Sequence, residues 1–129
     1  MAIVQRIKDL NLPLDQLIVI GSGLLDAYGL READDIDLVI SDTLYRTLKA
    51  TGRYVEGVKQ DETYLVKDKL EIWLSWGSGV DFAYLQRDGV VIDGVTFVSP
   101  NFLMARKYAR GSDKDIKDIK LLERYLNEQ

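Results

Sequence analysis

The chain contains no cysteine and no histidine. Without thiols there is no disulfide framework and no thiol nucleophile, and without imidazole there is no Ser-His or Cys-His pair. Zinc fingers built on these ligands are excluded on the same ground. Any catalysis must run on carboxylates, hydroxyls, lysines, arginines or a bound hard cation. Proline occurs only twice and the ten glycines are scattered, so they punctuate short elements and no linker divides the chain. Long apolar runs are also lacking: none approaches the roughly 18 residues of a membrane span. The segment Met1 to Asn11 is mixed and charged, unlike a secretory leader. The expected setting is cytoplasmic, with no membrane partner.

An excess of positive charge is missing as well. The net charge of −4 argues against a protein held to nucleic acid by bulk electrostatics, although a local basic patch is compatible with it. The 129 residues, 47% of them hydrophobic, are enough for a real core and suit one domain spanning 1–129.

Hydrophobic spacing and turn residues predict an α+β fold: a mixed β-sheet flanked by helices, with two helices at the C-terminus. Ile3, Ile7 and Leu10 share one side of a first helix. Leu17 to Ile20 reads as a buried strand that stops at Gly21-Ser22-Gly23, where Ser22 would cap a short helix to Tyr28. Ile36 to Ile40 is a second strand, and Ser41-Asp42 caps a helix to about Ala50. Thr63 to Val66 and Lys69 to Trp76 read as strands around a Lys67-Asp68 turn, and Asp81 to Gln86 as a short helix. Asp93-Gly94 is a strong hairpin signal between Val90 to Ile92 and Val95 to Val98. Ser99-Pro100 opens a helix that Gly111 closes, and Ser112 with Asp115 forms a capping box for the last one.

Asp35-Ile36-Asp37 is the most informative triplet. Strand side chains alternate, so the two carboxylates point one way and Ile36 the other. Close carboxylates repel and lose hydration on burial, a conflict that a hard cation such as Mg²⁺ resolves. Alone, Asp-x-Asp is better read as the solvated face of an edge strand. Gly21-Ser22 adds a strand-to-helix turn with free backbone N–H groups and a hydroxyl, an anion site that glycine lets a phosphate approach. Alone, that turn is a tight serine-capped connection. Together they place an anion cradle beside a cation site, which suits a Mg²⁺-bound triphosphate.

The segment Ile20-Gly21-Ser22, twelve intervening residues, then Asp35-Ile36-Asp37-Leu38 resembles the signature of the DNA polymerase β-like nucleotidyltransferase superfamily. Gly29-Leu30-Arg31 before the acids is similar to the small bacterial and archaeal members. Asp93-Gly94-Val95, Phe97-Val98-Ser99, Leu103, Lys107 and Lys114 to Ile119 resemble the tail of the abortive-infection and lincosamide-type enzymes. The resemblance implies a nucleotidyltransferase-like core and a Mg²⁺-dependent enzyme. Such an enzyme moves a nucleoside monophosphate from a nucleoside triphosphate to an acceptor hydroxyl and releases pyrophosphate. Gly21, Ser22 and Lys107 would bind the nucleotide. Asp35, Asp37 and a third acid would be catalytic and hold two Mg²⁺ ions, or Mn²⁺ in their place. Glu71, between Leu70 and Ile72, is the candidate third acid, and Asp81 its rival, with a helix cap as the simpler role for Asp81. The acceptor would be a small molecule, a tRNA end or a protein, and a partner protein or a second copy would complete its site. The alternative is a non-catalytic module of the same fold, an antitoxin-like or scaffold partner.

Three further groups have two readings each. Lys107 and Arg110 share a helix face and would meet the triphosphate or the acceptor. Lys114, Asp115 and Asp118 read more simply as solvated ion pairs between the last two helices. Trp73 and Trp76, three apart on a strand, face opposite ways, so at most one lines a pocket and core packing suits either.

Overall fold

The Leu-Ile-Val-Ile run of β1 (Leu17–Ile20) is buried at all four positions. A strand with two covered faces belongs inside a sheet. In the computed structural model, which describes residues 2–129, β1 lies antiparallel to β2 (Ile36–Ile40) and parallel to β7 (Val95–Phe97). Outside β2 come β5 (Leu70–Trp73), parallel to it, then β4 (Glu62–Lys67) and β3 (Val55–Lys59), antiparallel in turn. β6 (Val90–Ile92) pairs with β7 at the other edge. Among the described residues the sheet has seven strands in the order β3-β4-β5-β2-β1-β7-β6. The α-helices among those residues are α1 (Ala2–Lys8), α2 (Gly23–Ala27), α3 (Asp42–Ala50), α4 (Phe82–Gln86), α5 (Pro100–Arg110) and α6 (Asp113–Asn127). The chain is therefore an α+β protein with a mixed sheet and two C-terminal helices. No helix among the described residues is long and apolar enough to cross a membrane.

Local chemistry sets most boundaries. The Ser41 and Ser99 hydroxyls accept from the backbone N–H groups of Leu44 and Phe102, and Pro100 occupies the first turn of α5. Gly111 ends α5 in the left-handed region, and Ser112 and Asp115 cap α6 reciprocally. Asp93 and Gly94 both have positive φ, as a two-residue hairpin of this hand requires.

Two elements differ from the sequence reading. β3 is an edge strand whose Val55 and Val58 are both 68% exposed, so it has no apolar face to reveal it. It is held by β4 and by Gly57, where a Cβ would stand 2.5 Å from the Tyr64 ring. β5 ends at Trp73, not Trp76; the Trp76 N–H donates to the Val80 carbonyl and closes a loop. Strand alternation therefore does not relate the two tryptophans.

Candidate functional site

The centre of the sheet brings Asp37 and Glu71 together. β2 alternates, sending Ile36, Leu38 and Ile40 into the core and turning Asp37 to the opposite face. Asp37 lies directly opposite Glu71 in the parallel β2–β5 ladder and opposite Ile20 in the β1–β2 ladder. β2 is interior to the sheet, so the edge-strand account of Asp37 does not apply. The chain leaves β1 at Gly21, whose φ is +67° and where a Cβ would lie 3.1 Å from Asp37 Oδ2. Glycine is needed there for conformation and for space. Gly21→Ala is expected to cost about 1–3 kcal/mol in urea unfolding through the left-handed backbone alone; an unchanged midpoint would contradict the close approach.

Asp35 sits one residue before β2 and is exposed. The loop that delivers it is pinned from behind. Buried Asp26 accepts from the Ala33 N–H at 2.9 Å and the Ile3 N–H at 3.2 Å. Arg6 donates to the carbonyls of Ala33 and Asp34 at 2.7 and 2.9 Å.

Burial, then the negative charges of Glu71 and Asp35, push Asp37 up to about 6, with Lys59 and Arg110 opposing. Lys59 reaches from β3 to within 3.4 Å of Glu71 and lies over the Tyr64 ring, which stacks on Trp73 at 4.3 Å. The Trp73 indole N–H donates to Glu71 at 3.3 Å. Glu71 is thus oriented by an aromatic floor and a cation from an edge strand. Asp81 is elsewhere: its carboxylate accepts from the Tyr84 N–H as the cap of α4, and it lines a separate hollow with Ile40 and Ser41.

Ser22 precedes α2, but its side chain makes no cap hydrogen bond. The hydroxyl instead accepts from Arg31 Nη2 at 2.8 Å and from Lys107 Nζ at 3.3 Å. α2 has only five residues, so its dipole adds little to an anion site. Lys107 is 2% exposed and held by Asp118 at 2.9 Å and Asp115 at 3.7 Å. Arg31 grips Asp118 with two bonds, at 2.7 and 2.8 Å. Burial alone would raise Asp118, but its bonds from Arg31 and Lys107 hold it below the usual carboxylate range. Arg110 grips Asp115 at 2.6 and 2.9 Å and, with Ser112, depresses that carboxyl too. Asp115 and Asp118 are therefore buried anchors rather than solvated partners. The pairing of Arg31 with Asp118, 87 positions apart, was not read from the sequence, which offered Asp118 only as a solvated partner between the last two helices.

Beside Gly21, α5 walls a cleft of about 300 Å³ lined by Trp76, Arg106, Lys107 and Arg110. The Arg106 guanidinium lies 4.4 Å from the centre of the Trp76 ring.

The resemblance implies Mg²⁺. Among the described residues no group of three Asp or Glu side chains is arranged to hold a metal ion. Mg²⁺ commonly takes only one or two carboxylates and completes its shell with water and phosphate oxygens. The opposed Asp37 and Glu71 offer only oxygen donors, and Lys59 offsets the charge of Glu71 alone at contact distance, so the pair fits that demand.

Comparison of the chain with protein-family models, curated proteins and solved structures gives no match.

Proposed function

We propose that the chain is a Mg²⁺-dependent nucleotidyltransferase with a polymerase β-like core, moving a nucleoside monophosphate onto an acceptor hydroxyl. The observation that carries this reading is the opposition of Asp37 and Glu71 on central strands, with the Gly21 turn against the Asp37 carboxylate. A half-buried like-charge pair beside a glycine turn is costly in a scaffold and useful where a cation and a phosphate must meet.

Asp37 and Glu71 would hold the ion, with Asp35 at the strand mouth available to a second one. When bound, Mg²⁺ neutralises phosphate charge and lowers the pKa of the acceptor hydroxyl. The acceptor oxygen attacks the α-phosphorus in line, the bond to the bridging oxygen breaks, and pyrophosphate leaves. Glu71, held by Trp73 and Lys59, takes up the hydroxyl proton. Gly21 allows the phosphates to lie against the backbone, and the Ser22 hydroxyl is oriented by Arg31 and Lys107. The Ser22 hydroxyl already accepts from two cations, and this favours a second reading, a non-catalytic binding module of the same fold.

Thermal shift with the four ribonucleoside triphosphates, in Mg²⁺ and in EDTA, separates the two. Ligand at about 100 times its Kd should stabilise by roughly 2.7 kcal/mol, several degrees for this size. The enzyme reading expects a Mg²⁺-dependent shift that Glu71→Gln removes and Asp81→Ala retains. No shift with any nucleotide favours the binding module.

A further inference from the structure

Of the basic side chains lining the cleft beside Gly21, two are already committed. Lys107 is buried on Asp118 and Asp115, and Arg110 makes two bonds to Asp115. Arg106 differs from both: among the described residues it forms no ion pair, and its guanidinium rests on the face of Trp76. It is half-buried, and burial and the neighbouring Arg110 charge lower its pKa. An arginine already held over an indole gives up little side-chain freedom when it takes an anion. A Cβ at Gly77 would stand 3.3 Å from Arg106 Nη1, so the backbone of the loop after β5 backs this placement.

We propose that Arg106, carried on Trp76, is the residue that receives the polyphosphate of the nucleotide in this cleft, and that Lys107 is a structural ion that does not touch it. This rests on the nucleotidyltransferase reading for the identity of the ligand, but the anion site itself does not need the metal. Planar bidentate donors match phosphate oxygens, and the cleft opens at Gly21, beside the acid pair where the α-phosphate would react. The ligand class is a polyphosphate, placed in the cleft that Gly21 and α5 line together.

The test is isothermal titration of wild type, Arg106→Gln and Arg106→Lys with inorganic tripolyphosphate in EDTA and with Mg²⁺-ATP, with melting curves as a check on folding. Loss of a charge-assisted, bidentate contact should weaken tripolyphosphate binding by at least about tenfold in Arg106→Gln. Arg106→Lys, which keeps the charge and loses the fork, should recover only part of it. If Arg106→Gln binds both ligands like wild type, the proposal is overturned while the enzyme reading stands. Arg106-dependent binding of tripolyphosphate with no gain from Mg²⁺ and a nucleoside would keep the anion site and sink the enzyme reading. A wild-type chain that binds neither ligand overturns both.

Discussion

Asp37→Asn is expected to abolish Mg²⁺-dependent nucleotide binding and, in the same variant, to raise the melting temperature of the ligand-free chain by several degrees at pH 7.5. The two effects have one cause. Asp37 stands opposite Glu71 with its carboxylate against Gly21, and burial with the Glu71 and Asp35 charges lifts it from 3.8 to about 6. Between those values the native chain holds a proton that the unfolded chain has released, so stability falls as pH rises through that window. Above about pH 6 the penalty is complete, about 1–3 kcal/mol for a group that keeps some contact with solvent. An amide keeps the volume and removes the charge, so the variant should lose the downward slope between pH 4 and 6 and be the more stable protein above it. Asp35→Asn should lose binding too, with little change in stability, because Asp35 is exposed. Urea unfolding from pH 4 to 8 with a Mg²⁺-ATP titration at pH 7.5 reads both effects. A D37N protein less stable than wild type at pH 7.5 would mean that the carboxylate is paired rather than strained. Unchanged Mg²⁺-ATP binding would remove Asp37 from the site.

What could be read in the sequence was what local chemistry decides. β1 announces itself by four apolar residues, α5 by Ser99-Pro100 and Gly111, and α6 by its capping box, because each signal lies within a few residues of the element it sets. Glu71 was picked out as the acid between apolar Leu70 and Ile72 that the family resemblance asked for, and the register sets it opposite Asp37. What was hidden depends on distant partners. Ser22 has the local look of a helix cap, but two cations from residues 31 and 107 claim its hydroxyl. Lys59 comes from an edge strand with no apolar face, so no periodicity pointed to it. Asp26 looks like a polar helix residue and is in fact buried beneath the loop that carries Asp35. Trp76 leaves the strand pattern because the Trp76 N–H bonds to Val80 across a loop.

Asp118→Ala is expected to cost about 3–5 kcal/mol, a large part of the stability of a domain this size, because it strands a buried ammonium. Lys107 is 2% exposed, and without Asp118 at 2.9 Å its nearest carboxylate is Asp115 at 3.7 Å, already gripped by Arg110. Lys107→Met should cost less, since Asp118 keeps both bonds from Arg31, whose side chain is a quarter exposed. Pairing K107M with D118A should recover part of the loss, because no ammonium is then stranded, while Arg31 still loses its two bonds. A non-additive urea-unfolding cycle is therefore the signature, and additive single effects would deny the coupling. The pH dependence has the opposite sign to that of Asp37. Asp118 is held below the usual carboxylate range, so its contribution is full above about pH 4 and lost as pH falls. The gap between wild type and D118A should narrow in acid, while the gap between wild type and D37N narrows in acid for the contrary reason. The same anchor aims Arg31 and Lys107 at Ser22, so α6 serves the Gly21-Ser22 turn without lining the acid pair. A D118A chain refolded at low temperature should thus bind Mg²⁺-ATP more weakly than wild type even where it is fully native. Full-strength binding there would make α6 a purely structural support.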